Sequence, residues 1–378
     1  MSGQRVKEFF IEGFLFIAGA SSILITLGIV FVLLYETIPF FAWQSRALHL
    51  PEAVAGHTTV SAVLVRAGDE VVQGTPILEA AIVEDGARKS VQLVASQFTR
   101  INEINVKVGD SIARDTLVIS ADERVRFTDF FGDRLWAPVF DIPRFGIWSL
   151  ITGTLVTTAV ALMVAVPAGT ISAIWLSEYC NPALREWIKP TLELLAAVPT
   201  VVYGYFALLV VTPLLQRLFG LVGYDLDGFN MLSAGLVMGI MIIPYIASLS
   251  EDAMRAVPMQ MREGSYAMGA TRFQTAVRVL IPAALSGMTA AYILAISRAV
   301  GETMIVALAA GLQSKFTLDP TESAATISAA IVQAVMGDLP HESTAYRAVF
   351  AAGLGLMIIT LFFNIAGHML RKRYREAY

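Results

Sequence analysis

Six long apolar stretches alternate with short charged ones along this chain, and each is of membrane-spanning length. The first runs from Gly13 to Tyr35, the second from Phe145 to Ser177 and the third from Pro190 to Leu215, interrupted by Glu193. The fourth is Gly228 to Ser250; the fifth runs from Ile281 to about Leu312 and contains Arg298 and Glu302; the sixth is Ala348 to Leu370. Hydrocarbon about 30 Å thick needs roughly 20 apolar residues per helical span. The pattern therefore predicts an all-α integral membrane protein with six transmembrane helices.

Charge sets the expected direction of those spans. With a cytoplasmic N-terminus, the inner segments hold Arg5, Lys7, Arg185, Lys189, Arg255, Arg262, Arg272, Arg278, Arg371, Lys372, Arg373 and Arg375. Only Arg217, Lys315 and Arg347 fall in the short outer loops. That asymmetry is the positive-inside bias, and an even number of spans returns the C-terminus to the cytoplasm. The first stretch is too long for the apolar region of a signal peptide and is closed by no small-residue cleavage site, so it reads as a retained helix. Composition agrees: 56% of residues are hydrophobic and only 15% charged, against about a quarter charged in soluble domains. A net charge of −4 gives no hint of nucleic-acid binding, and the single cysteine, Cys180, excludes an internal disulfide.

Between the first two stretches lie about 110 residues of soluble character, enough for a small domain over 45–135. It separates an N-terminal helix (1–38) from a membrane core (140–378). Within it Val65-Arg66-Ala67-Gly68-Asp69-Glu70-Val71 is echoed by Val106-Lys107-Val108-Gly109-Asp110-Ser111-Ile112, and Thr75 and Thr116 continue the alignment. Each copy reads as strand, Gly-Asp turn and strand. The pair resembles the barrel-sandwich hybrid of lipoyl and biotinyl domains; an unrelated small β domain is the alternative. In that family a lysine on a hairpin between the halves carries the cofactor. Here the corresponding stretch is Glu79-Ala80-Ala81-Ile82-Val83, which puts Ile82 at the lysine position and argues against a swinging arm.

The loop 251–282 carries the next signal. Glu263 is followed by Gly269 and then by Pro282, expected at the head of the fifth helix. Met261 to Ala267 holds helix formers, and Gly269 suits the positive φ that ends such a turn. The spacing resembles the E-A-A loop of ABC-importer permeases, with Gly264 and Ser265 in place of its two alanines, Val279 for the isoleucine and Ile281 for the leucine. The resemblance implies a type I importer permease whose loop seats in an ATPase subunit. No G-x(4)-G-K-[ST] stretch occurs, so ATP hydrolysis is expected from a separate subunit and no cofactor is called for.

Charges inside spans are costly, and they mark pathways or partners. Arg298 and Glu302 stand four apart, a spacing at which they can pair on one helical face. Such a pair serves either as a register-fixing ion pair or as the lining of an anion passage; Glu193, near the inner end of the third helix, is a further pathway candidate. The stretch Arg298-Ala299-Val300-Gly301-Glu302-Thr303-Met304 resembles the R-A-x-G-E-T-M signature of the phosphate-specific (Pst) permeases, in their PstC-like branch. So do Phe145-Gly146-Ile147, Gly153-Thr154-Leu155, Leu176-Ser177-Glu178-Tyr179, Lys189-Pro190, Glu193-Leu194-Leu195-Ala196 and Pro199-Thr200-Val201-Val202-Tyr203-Gly204.

That resemblance implies a bacterial inner-membrane phosphate importer with a homologous second permease (PstA-like), an ATPase dimer (PstB-like) and an external phosphate-binding protein (PstS-like). Arginine suits a tetrahedral oxyanion because its planar fork donates several hydrogen bonds at once. A permease for sulfate or molybdate is the alternative. A membrane enzyme lacks support: there is no H-E-x-x-H or G-x-S-x-G, and His49, His57, His341 and His368 are scattered, with no metal-ligand spacing. An efflux adaptor has no need of six spans.

Overall fold

A computed structural model describes residues 3–49, 57–84, 87–112, 117–140, 142–337, 339–340 and 343–373. The chain divides into two units. One comprises Met1–Asp133, Ala137–Phe145 and Leu339–Leu354; the other comprises Arg134–Trp136, Gly146–Asp338 and Gly355–Tyr378.

The first unit opens with α1 (Gly3–Phe41), whose apolar side chains over 11–35, such as Phe14, Phe16 and Ile25, are mostly exposed. A helix apolar all round and unburied by its own chain is built to meet lipid. Eight strands follow: β1 (Gln44–Leu48), β2 (His57–Val63), β3 (Glu70–Val71), β4 (Pro76–Glu84), β5 (Ala87–Val94), β6 (Phe98–Ile104), β7 (Ser111–Ile112) and β8 (Ile119–Arg124). They form two four-stranded sheets, ordered β1-β8-β6-β3 and β5-β4-β2-β7. The sequence repeat explains both sheets. Shifting by 41 residues carries Gly68 onto Gly109, both at positive φ, and Val60, Val65, Ile77, Leu78 and Ala80 onto Ile101, Val106, Val118, Ile119 and Ala121, all buried in one core. The irregularity between Val60 and Ala62 recurs between Ile101 and Glu103. Asp69 accepts from the Arg66 amide and Asp110 from the Lys107 amide, each at 2.8 Å, which closes two equivalent turns. Each turn then feeds a short strand to the other copy's sheet: β3 pairs β6, and β7 pairs β2. The two copies interlock. Thr116 lies outside the described residues. Ile82 is not on a hairpin turn: it is buried inside β4, in register with Lys89 of β5. A strand nine residues long carries it away from the turn, a length the short repeat gives no way to read. Helix α2 (Phe127–Gly132) follows.

The second unit holds α3 (Trp148–Ile174), α4 (Pro182–Ala196), α5 (Thr200–Phe206), α6 (Thr212–Gly220), α7 (Met231–Arg255), α8 (Met259–Ala267), α9 (Arg272–Thr275), α10 (Ile281–Val300), α11 (Met304–Ala309) and α12 (Ile327–Met336). The last helix, α13 (Thr344–Arg373), runs from the first unit into it. Among the described residues, six helical stretches are long and apolar enough to cross a membrane: Ile11–Phe41, Trp148–Tyr179, Thr200–Gly220, Met231–Arg255, Arg272–Val300 and Thr344–Lys372. The core of the unit is α3 against α7. A Cβ on Gly235 would lie 2.7 Å from Val160 and one on Gly239 2.8 Å from the Ala161 carbonyl, so the two backbones approach as only small residues permit.

Two boundaries differ from the sequence expectation. Pro190–Ala196 belongs to the separate helix α4, and the third span begins at Thr200; Glu193 therefore lies outside it. A break at Ala197–Pro199 ends α4, because proline disfavours helix at the residue before it. Nor does Pro282 stand at the head of the fifth span, which begins ten residues earlier at Arg272. A π-helical turn at Ala276–Leu280 lets the helix run through Pro282, and another at Ala207–Val211 precedes Pro213 in the same way. Widening the turn relieves the clash of the proline ring with the preceding carbonyls.

Candidate functional site

At one end of the second unit the segment 256–275 is held by buried charge. Helix α8 ends at Ala267, and Gly269, at φ +83°, turns the chain while its amide donates to the Tyr266 carbonyl at 2.9 Å. Thr271 and Gln274 then form a reciprocal capping box that starts α9. The anchor of the whole segment is Glu178, in a π-helical turn at the end of α3. Its side chain is 3% exposed and pairs with Arg262, itself 11% exposed. The second carboxylate oxygen accepts from the Tyr266 hydroxyl at 2.9 Å, and the Glu178 carbonyl accepts from Arg272 at 3.2 Å. Arg262 also donates to the Met254 carbonyl at the end of α7, at 2.9 Å. Burial pushes the Tyr266 phenol above its ordinary pKa, and the hydrogen bond to Glu178 adds to that.

A second charged cluster joins α4 to α7. Glu251, fully buried, lies 2.8 Å from Lys189, 3.8 Å from Arg255 and 4.0 Å from Arg185. Lys189 also meets Asp252. Burial acts to lower the Lys189 pKa, but Asp252 and Glu251 outweigh it and hold the ammonium above the usual lysine range. While these charges are spent inside the chain, the outward residues of the segment are not. Glu263 is exposed, as are the apolar side chains of Met259, Met268 and Phe273. Glu193 is exposed on α4, with the Ser248 hydroxyl 3.5 Å from its carboxylate.

Arg298 and Glu302 sit elsewhere, at the far end of α10, and they do not share a helical face. The helix stops at Val300, and Gly301 turns the chain before α11. Arg298 is exposed in the last turn of α10 and has no ion-pair partner among the described residues. Glu302 is only 9% exposed; its carboxylate accepts from the Met304 amide at 3.2 Å, and its carbonyl accepts from Ser328 at 2.6 Å. The expected i,i+4 pair fails because the glycine ends the helix between its two members.

Sequence reasoning missed Glu178 and Glu251 as anchors. Both are acidic residues at the ends of apolar stretches, which read as ordinary interfacial charges, and only the fold surrounds each with cations. The close-packing Gly235 and Gly239 carried a usable signal, since G-x-x-x-G in an apolar stretch marks a helix-packing face.

Comparison with known proteins bears on the same core. The chain is 32% identical over 245 residues to the probable ABC transporter permease protein YqgH of Bacillus subtilis strain 168, covering 65% of this chain and 78% of that protein. It is 34% identical over 262 residues to the phosphate transport system permease protein PstC of Mesorhizobium japonicum, covering 64% and 78%. The corresponding PstC of Haemophilus influenzae is 33% identical over 279 residues, covering 69% and 87%. The family model of the binding-protein-dependent transport system inner membrane component matches residues 165–376. That span takes in α7, the anchored segment 256–275 and the α10 break, so the chain belongs to the family of binding-protein-dependent transport system inner membrane components.

Proposed function

We propose that this chain is the permease subunit of an ATP-driven importer that moves inorganic phosphate across a bacterial inner membrane, with both termini cytoplasmic. The observation that carries the substrate is the similarity to PstC proteins at 33–34% identity, together with an exposed arginine in the R-A-x-G-E-T-M stretch that has no ion-pair partner among the described residues. In this reading Arg298 faces a passage completed by a homologous second permease, and attracts the oxyanion. Buried Glu302 shapes the turn and lowers the local positive potential, since a passage must release what it admits. Glu193 flanks the inner mouth.

Energy enters through α8. The exposed Met259 of α8, Met268 just after it and Phe273 of α9, beside Glu263, form the apolar and charged surface that a separate ATPase subunit would receive. Gly269 and Pro282 shape the return into the fifth span, and Glu178 ties that movement to α3. An external phosphate-binding protein delivers the substrate. We assign the β unit to the extracytoplasmic side as a lipoyl-hybrid-like insertion, on the strength of its two interlocked copies. Between Glu84 and Ala87 the chain has Asp85 and Gly86, so no lysine stands there to carry a cofactor.

The test is uptake by vesicles containing the chain with its co-encoded permease and ATPase subunits. Labelled phosphate should accumulate with ATP, and Arg298→Gln should abolish uptake at unchanged membrane abundance. Preferential uptake of sulfate or molybdate would reassign the substrate. Normal phosphate uptake by a variant carrying Arg298→Glu with Glu302→Arg would reject the passage role.

A further inference from the structure

A recess of about 560 Å³ lies in the second unit between α10 and the end of α13, and neither the segment 256–275 nor Arg298 lines it. Ser286, Gly287 and Ala290 line it from α10, and His368, Arg371 and Lys372 from α13. Its floor is made by small residues; a Cβ on Gly287 would lie 2.6 Å from that of Ala253, which holds this part of α10 close to α7. Its rim is cationic. Arg371 approaches His368 Nδ1 at 3.2 Å, and neither Arg371 nor Lys372 has a carboxylate partner among the described residues. Ser286 offers a hydroxyl with no hydrogen-bond partner there either.

Lys189, Arg262 and Lys315 in this unit each find a carboxylate, whereas Arg371 and Lys372, like Arg298, find none among the described residues. Two cations with no carboxylate partner among the described residues and a hydroxyl around a recess wide enough for a tetrahedral group constitute an anion site. Its position says which anion. Lys372 ends the last membrane-spanning stretch, and exposed Leu361, Ile365 and Met369 lead along α13 toward the recess. An apolar, outward-facing stripe that ends at a cationic pocket matches acyl chains that end at a phosphodiester.

We propose that this recess binds the headgroup of an anionic phospholipid. The site rests on the cytoplasmic placement of the C-terminus given above, because anionic headgroups are then met at the inner surface. It is independent of the transported substrate. The bound lipid would brace α13 against α10, whose other contacts there are Gly367 on Ile293 and the 2.9 Å bond from Ser297 to Asn364.

Native mass spectrometry of the full chain, purified with its partner subunits and titrated with phosphatidylglycerol or phosphatidylcholine, tests this without measuring transport. A failed phosphate-uptake assay would therefore leave the lipid result standing, and the reverse. Phosphatidylglycerol should be retained in preference to phosphatidylcholine. Each cation removed should cost about fivefold in retention, so Arg371→Gln with Lys372→Gln should lose about 25-fold. Ala290→Leu, which keeps every charge and fills the floor, should also lose retention, whereas the exposed cation change Arg278→Gln should not. Equal retention of the two lipids would overturn the proposal, as would full retention by Ala290→Leu. Displacement of phosphatidylglycerol by millimolar inorganic phosphate would overturn it in favour of a free-phosphate site.

Discussion

The two ends of the membrane core handle charge in opposite ways. Around α8, carboxylates and cations are matched inside the chain: Glu178 meets Arg262, Tyr266 and Arg272, and Glu251 meets Lys189 with two arginines nearby. At the end of α10, Arg298 is exposed and has no carboxylate partner among the described residues, one glycine turn from a carboxylate that is committed to a backbone amide. Matched buried charge defines a rigid lever, because removing either partner strands the other in a poor solvent. Unmatched charge in an apolar setting is stable only when something outside the chain, a second subunit or a passing anion, completes it. The contrast predicts that the first end matters to folding and coupling, and the second to transport alone.

Glu178 offers the hardest test of that contrast. Glu178→Ala leaves Arg262 buried without its carboxylate and should cost about 3–5 kcal/mol in unfolding free energy. Adding Arg262→Met removes the stranded charge and should recover a large part of that loss in the same denaturation series. A double variant no more stable than the single one would show that Glu178 acts through something other than this pair.

Arg298→Gln should change unfolding free energy by less than about 0.5 kcal/mol, since exposed positions without partners rarely cost more. Uptake should nevertheless vanish. Substantial destabilisation would reveal a partner within the chain and erase the contrast between the two ends.

Gly269→Leu forces a branched side chain into a left-handed backbone and should cost about 1–2 kcal/mol locally. Glu263→Ala is exposed and should cost nearly nothing. Both should leave the chain in the membrane while ATP hydrolysis proceeds without phosphate accumulation. Normal uptake by either variant would remove the segment from the coupling route.

Lys189→Gln should leave uptake unchanged and have only a modest effect on stability, on the order of 1 kcal/mol, because Lys189 is a quarter exposed and Arg185 and Arg255 remain near Glu251. Its folded pKa is raised, so the stabilisation is complete below the ordinary lysine value of about 10.4 and fades as pH rises through the raised value. Wild-type and variant stabilities should therefore differ by a constant amount between about pH 6 and 8. A gap that opens within that window would point to another titrating group.

How far the fold could be read depended on whether a pattern was local. Spans are long runs, so hydropathy alone located six of them. The repeat around Gly68 and Gly109 is a short-range match, and its consequence for the turns was legible; the exchange of β3 and β7 between sheets was not, because nothing in seven residues says which copy a strand will join. At the segment 256–275 the spacing of Glu263 and Gly269 marked the loop, while Glu178, about eighty residues upstream, carried no sign of being its anchor.

Composition and periodicity determined by themselves that this chain lives in a membrane, that its spans number six, and where its acidic and basic residues fall along them. They could do so because transfer into hydrocarbon is an additive property of consecutive residues. Tertiary structure alone decided which of those charges are spent. Whether Glu178 finds Arg262, whether Gly301 separates Arg298 from Glu302, and whether Arg371 and Lys372 border a recess are questions of distance in space. A charge is stabilised or stranded by what lies within a few ångströms of it, and for these residues those neighbours come from distant parts of the chain or from none of it.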